Sequence, residues 1–334
     1  MHRPRIRAAA GAVVALVFLF SHPPSAHASC GSSSCFLVTR SDQGVEQDGA
    51  FRVDLSFRYV DQSRKLEGSD DTDEVLVPKI DFENRAIEPD HHREVRTQNT
   101  QVQVDLAYGL TPRVSLVGSL PLYVDKNHEH FDDAGTPEEE FSNADGTSGF
   151  GDVRVGARYA FLVGGHNLLI GTAVVKAPTG AYKLLDHEGS INEPTIQPGT
   201  GSWDGILALN YVHHPFPSPF EWFVSGAGRF NRRNPLDYRV GDEGFLNAGF
   251  NWAKGPRWVL GLQLNARHAG RDDYLGEGVP STGADSIALT PGIRLHTNDG
   301  AEIYGYVQLP VHQDVNESQL APRAGFVIGI SKSF

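Results

Sequence analysis

The sequence predicts an all-β fold, a single antiparallel transmembrane β-barrel of about 12 strands with long external loops. The chain ends Gly325-Phe-Val-Ile-Gly-Ile-Ser-Lys-Ser-Phe334, with Phe326, Ile328, Ile330 and Phe334 on one parity and mostly small or polar residues on the other. A strand that is apolar on one face and finishes on an aromatic residue is how bacterial outer-membrane barrels usually close. The same period-two alternation recurs along the chain, in an even number of stretches, as a bacterial single-chain barrel requires. The connections alternate between short and long, which collects the long ones at one end of a barrel. A soluble sandwich has no reason to segregate its loops in this way.

At the N-terminus, Arg3, Arg5 and Arg7 precede the 13-residue apolar run Ala8 to Phe20 and the small-x-small site Ala26-His27-Ala28. This is a secretory signal peptide over residues 1–28, cleaved near Ala28, because a spanning helix needs roughly 20 apolar residues. Residues 29–50 are read as a periplasmic N-terminal segment carrying the only two cysteines, Cys30 and Cys35. In an oxidising compartment the Gly-Ser-Ser-Ser between them lets a disulfide form. Two readings compete with it: lipidation of Cys30, weakened by His27 three places before it, and metal binding, which lacks a second ligand pair.

The barrel is read over residues 51–334. Its first strand sets Phe51, Val53, Leu55, Phe57 and Tyr59 against Arg52, Asp54, Ser56 and Arg58. Further strands follow at 101–108, 114–123, 152–159, 168–175, 203–211, 220–230, 245–252, 258–268, 287–296, 302–309 and 323–334. Short turns fall at 109–112, 162–166, 213–219, 253–256 and 297–300. Long segments fall at 62–96, 125–150, 177–201, 231–243, 270–284 and 312–321. With both termini on the short-turn side, the long segments are external and the short turns periplasmic.

Charge follows the same map. Without the three signal-peptide arginines the net charge falls from -12 to -15, and the six long segments hold 29 of the 41 acidic and 12 of the 29 basic residues. The external loops therefore carry -17. Asp70-Asp71-Thr72-Asp73-Glu74, Asp132-Asp133 and Glu138-Glu139-Glu140 are read either as a cation-attracting rim or, preferably, as solvated loop charge beneath lipopolysaccharide. His91-His92 and His128-x-His130 are placed on separate external loops without helical spacing, so no metal site is assigned. No nucleophile elbow, Walker sequence or zinc-protease motif occurs, and no enzyme activity, cofactor or nucleic-acid partner is expected. A hydrolase site at the barrel rim, which needs no local motif, is the third reading.

Assigning the apolar face to lipid turns the other face into the lumen. This places Arg52, Arg58, Arg154, Arg158, Arg229, Arg267, Arg294 and Arg323 inside, with Asp54, Asp105, Asp152, Asp204, Glu221 and Glu302. Gln101, Gln103, Asn210, Asn247, Asn251, Gln263, Asn265, Tyr304 and Tyr306 join them. A lumen charged with both signs holds either water or a salt-bridge network. The first makes an aqueous pathway whose arginines attract anionic groups and whose tyrosines stack on rings; the second makes a plugged structural or adhesion barrel. Tyr108, Tyr123, Tyr159, Trp203, Tyr211, Trp222, Trp252 and Trp258 stand near strand ends, where interfacial aromatic belts belong.

Three runs carry a family resemblance: Gly149-Phe-Gly-Asp-Val-Arg-Val-Gly-Ala-Arg-Tyr159, Lys176-Ala-Pro-Thr-Gly180 and Pro198-Gly-Thr-Gly-Ser-Trp-Asp204. In this order they resemble the transporter-like outer-membrane proteins named for the meta-pathway of phenol degradation, over roughly residues 100 to 334. The resemblance implies a Gram-negative outer-membrane barrel that passes small, often aromatic, compounds. The expectation is thus an outer-membrane channel for passive uptake or export of small organic solutes, aromatic or anionic ones among them. Its expected partners are lipid and lipopolysaccharide, the solute, and the barrel-assembly machinery that reads Phe334.

Overall fold

The computed structural model describes residues 44–334. The signal peptide expected over 1–28, the expected Cys30–Cys35 disulfide and the first part of the 29–50 segment lie outside the described residues. Within them the alternating stretches form twelve long strands: β1 (Phe51–Glu67), β2 (Ala86–Thr111), β3 (Val114–Asp132), β4 (Arg154–Val163), β5 (Asn167–Lys176) and β6 (Asp204–His213), then β7 (Phe220–Phe230), β8 (Glu243–Lys254), β9 (Trp258–Ala269), β10 (Ala284–His296), β11 (Ala301–Val315) and β12 (Ser318–Ser333). Each pairs antiparallel with its sequence neighbour. β12 then pairs with β1, Arg52 opposite Ser333, so the sheet closes and leaves no unpaired edge. Phe51 and Phe334 exchange both backbone hydrogen bonds at the seam.

The solvation pattern is the reverse of a soluble protein's. Leu207, Leu246 and Ile328 are 56%, 57% and 52% exposed on the outer wall, whereas Asn247 and Thr290 are fully buried on the inner one. Only a hydrocarbon surround makes that arrangement favourable for so many aliphatic side chains. The eight aromatic residues expected at the interfaces, Tyr108, Tyr123, Tyr159, Trp203, Tyr211, Trp222, Trp252 and Trp258, are all exposed.

Several boundaries differ from the sequence reading. β2 has 26 residues and β3 has 19, where a spanning strand needs about 9–11; with β1 they continue well beyond the lipid on the external side. Much of 62–96 and 125–150 is therefore strand rather than loop. The last external connection, read as 312–321, is the two-residue turn Asn316–Glu317. β4 starts at Arg154, not Asp152. Arg323 is not in the lumen: Asp61 pairs with Ala324 and Gln62 with Pro322, so Arg323 is the extra residue of a bulge and is exposed.

The external segments are folded, not loose acidic loops. Leu76–Asp81 pairs with the start of β2, and Tyr238–Arg239, Asp273–Tyr274 and Glu277–Gly278 form a small sheet. Between them Ile80, Tyr238, Tyr274 and Val279 make a compact apolar cluster, with Phe82, Ile87 and Val240 against it. The acids sit on its surface in pairs, among them Lys79–Glu188 (3.1 Å), Arg85–Asp237 (2.9 Å) and Arg271–Glu317 (2.8 Å).

Candidate functional site: the lumen and its outer mouth

Strand register assembles the inner wall. Asp54 pairs with Asp105, Asp105 with Ser119, Ser119 with Arg154, Arg154 with Lys176 and Lys176 with Asp204. Because barrel strands are staggered, this one row climbs from the periplasmic start of β1 to the external ends of β5 and β6. Near its lower end the Tyr304 hydroxyl donates to Asp54 Oδ1 (2.6 Å), and Gln103 donates to Asp105, which also accepts from Ser119. The tyrosine is laid against the wall: a Cβ on Gly329 would stand 2.4 Å from the Tyr304 ring, so only glycine leaves room beneath it. Tyr304 and Tyr306 are both buried with ring centroids 5.8 Å apart.

At the upper end the row becomes a latch. Lys176, 1% exposed, donates to Asp152 Oδ2 (2.6 Å) and Ser202 O (3.1 Å), and stands 2.8 Å from Asp204 Oδ2. Asp152 also accepts from the backbone N–H groups of Gly180 (2.9 Å) and Thr200 (2.9 Å). The charge chain continues through Arg229, 3.6 Å from Asp204 and 3.0 Å from Glu243, to Arg267, 2.7 Å from Glu243. The segment 177–203 is thereby drawn in over the mouth. A Cβ on Gly199 would meet the Gly180 carbonyl carbon at 2.7 Å, so these two backbones approach as only glycine permits. Asp152, Lys176, Gly180, Gly199, Thr200 and Asp204 come from all three runs that carry the family resemblance, and the fold brings those runs to one place.

A cavity of about 90 Å³ lies beneath this latch, lined by Gln101, Lys126, Arg154, Arg229 and Arg267 among others. The Nε atoms of Arg58 and Arg154 have no hydrogen-bond partner among the described residues. Asn247, Asn265 and Thr290 form a hydrogen-bonded ladder on the opposite wall, and Arg294 and Glu302 are buried on the periplasmic half. From below, residues 44–50 fold across the periplasmic end: Glu46 lies 3.0 Å from Arg52, its amide donates to Ser115 Oγ (2.8 Å), and Arg158 reaches the Gly44 carbonyl at 3.5 Å.

The lumen-facing parity thus brings together Asp54, Asp105, Arg154, Asp204, Arg229 and Arg267, while Asp152 serves the latch from just outside its strand. Lys176, Glu243, Lys126 and Glu46 were missed. Lys176 and Glu243 stand at strand ends, Lys126 in the external extension of β3 and Glu46 before the first strand, where alternation gives no signal. Above the latch, His91 and His92 on β2 lie beside His128 and His130 on β3, with rings 4.6–4.7 Å apart, because the two strands pair through Arg93–Phe131 and Thr97–His128. The expectation that these pairs occupy separate loops is therefore corrected. Glu193 joins them from the latch segment. Burial pushes its carboxyl up, but a hydrogen bond from His92 and the neighbouring histidine charges outweigh this and hold it below the usual carboxylate range.

A closed barrel with an apolar outer wall and a charged inner one is an outer-membrane β-barrel. Within that class the chain belongs to the family described as "Putative MetA-pathway of phenol degradation", whose model matches residues 87–317. Among solved structures, an outer membrane channel from Pseudomonas putida F1 is 14% identical with a TM-score of 0.59, covering 89% of this chain and 100% of that one. The β domain of the Bordetella autotransporter BrkA is 13% identical with a TM-score of 0.48, covering 86% of this chain and 100% of its own. The TodX monoaromatic hydrocarbon channel, as its deltaS2 mutant, is 9% identical with a TM-score of 0.44, covering 86% and 91%. At these identities the likeness to the first is one of fold, and no argument rests on the other two. No curated protein sequence matches the chain.

Proposed function

We infer that the protein is a passive outer-membrane channel for small organic solutes, aromatic or anionic ones among them, and not an enzyme. The observation that carries this reading is the pair Arg58 and Arg154. Their Nε atoms are buried on the inner wall without a hydrogen-bond partner, and Arg154 faces the cavity below the latch. An arginine whose Nε has no partner is not fully used in bracing the wall, whereas one that faces a solute path supplies charge to it. Membership of the phenol-degradation family favours a ring-bearing solute, and a phenolate or carboxylate would pair with arginine. The C-terminal aromatic Phe334, 71% exposed, is the group we assign to the assembly machinery, which reads the last strand by strand addition.

Single-channel recording in planar bilayers tests the reading. Protein whose gel mobility changes on boiling, and which is therefore assembled, should give discrete current steps. Arg58→Ala with Arg154→Ala should move the reversal potential under a salt gradient away from anion preference. Absence of current from assembled protein would overturn the channel and leave a barrel plugged by its latch and its 44–50 segment.

A further inference from the structure

The histidines above the latch are surrounded by carboxylates whose geometry the channel does not use. His92 and His130 both turn Nε2 toward Asp132 Oδ1, at 3.1 and 3.0 Å. His130 Nε2 is also 3.6 Å from Asp145 Oδ2. The ligand atoms of His130, Asp132 and Asp145 all lie within 4.8 Å of one another, and so do those of His91, His92 and Asp132. Donor atoms around a tetrahedral ion with bonds near 2.0–2.1 Å stand about 3.3 Å apart, so the group of His130, Asp132 and Asp145 needs only small adjustments, and His92 Nε2, 3.1 Å from Asp132 Oδ1, moves in as the fourth ligand.

The surroundings have the character of a built site. His92 Nδ1 lies 2.7 Å from Glu193 while its Nε2 is directed at Asp132, so an ion bound through Nε2 would find Nδ1–H already held by a carboxylate, the arrangement that orients metal ligands. Asp145 is fixed from behind by Ser142 and by the His187 amide (2.8 Å). Asp132 Oδ2 and His130 Nδ1 are buried with no hydrogen-bond partner among the described residues. A cavity of about 20 Å³, the size of one small occupant, is lined by His92, His130, Asp132, Asp145 and Glu193.

We propose that His92, His130, Asp132 and Asp145 form a binding site for one divalent transition-metal ion of the zinc type on the external face. Two imidazoles with two carboxylates suit zinc and its first-row neighbours, while calcium and magnesium prefer all-oxygen sets. The site joins β2, β3 and the 133–153 segment directly. Through His92 and Glu193 it also reaches the segment that covers the mouth.

Untagged protein in detergent, stripped with a chelator and dialysed, should take up one zinc ion per chain in a titration against a chromophoric competitor. A large excess of magnesium should not displace it. His130→Ala and Asp145→Asn should each weaken binding at least tenfold, while His166→Ala on a periplasmic turn should not. Cobalt in place of zinc should give the visible spectrum of a four-coordinate site, lost in His130→Ala. Each variant's boiling-dependent gel shift reports assembly; if either fails to assemble, Asp132→Asn and the cobalt spectrum of the native chain carry the test. No stoichiometric zinc uptake, or uptake unchanged in assembled His130→Ala or Asp132→Asn, would overturn the site.

Discussion

Lys176 shows how a single side chain organises the outer mouth. Its ammonium serves two buried carboxylates, Asp152 and Asp204, and those in turn hold the Gly180 and Thr200 amides and the Arg229–Glu243–Arg267 chain. Removing one member of such a set strands the others without compensation, at a cost of about 3–5 kcal/mol. Lys176→Met keeps the apolar stem and deletes the charge. The twelve strands satisfy their own backbone groups, so the barrel should survive and the cost should fall on the segment 177–203. Hydrogen exchange at the Gly180 and Thr200 amides should accelerate while the strand amides of β5 and β6 keep their protection; unchanged exchange at both sites would show that the latch does not depend on Lys176. None of this was legible from alternation. Asp152 was recognised as a lumen charge by parity, but its partner lies 24 residues on, at the last position of β5, and only register brings the two together.

At the scale of the element, the sequence revealed the strands wherever lipid shaped them. All twelve were located, because each buries one face in hydrocarbon and wets the other, and that demand writes a period of two. Beyond the lipid the demand ends. The external parts of β1, β2 and β3 carry charge on both faces, as in Gln62-Ser-Arg-Lys65 and Asp125-Lys-Asn-His-Glu129, so pairing continues there with no pattern to announce it. The histidine cluster was missed for this reason, and the small external sheet for another: its strands are two residues each.

That sheet has a pH dependence of its own. Asp272 accepts from the Tyr238 hydroxyl (2.6 Å) and the Gly241 amide (2.8 Å), yet burial, reinforced by Glu243, outweighs these and the Arg267 charge and pushes its carboxyl up to about 6. A carboxyl whose folded pKa is raised favours the fold while protonated. Its contribution is complete below about pH 4 and is lost as pH rises through 6, a change on the order of 2–3 kcal/mol. Exchange at the Gly241 amide, corrected for its intrinsic pH dependence, should therefore be better protected at pH 4.5 than at pH 7.5. In Asp272→Asn that difference should shrink. Equal pH dependence in both proteins would remove Asp272 as the cause.

For the whole molecule, charge is divided between two environments that salt treats differently. Pairing among the external residues leaves their -17 balance unchanged, so the rim as a whole repels anions and enriches cations. On the inner wall Arg52 is paired with Glu46, Arg229 and Arg267 with Glu243, while the Nε atoms of Arg58, Arg154 and also Arg229 have no hydrogen-bond partner among the described residues. The lumen therefore favours anionic groups over the length where a solute is most confined. Rim charge acts through water over a Debye length of about 3 Å at 1 M salt and about 30 Å at 0.01 M, whereas lumen charge is screened far less at either. Reversal potentials measured across bilayers should accordingly show weak anion preference or near neutrality at 1 M salt. They should shift toward cations as the salt is lowered and the rim field extends across the mouth. Neutralising Glu138, Glu139 and Glu140 together as glutamines should blunt the shift at low salt and leave the high-salt value unchanged. Selectivity that does not vary with ionic strength, or that is cationic already at 1 M, would contradict this division between rim and lumen.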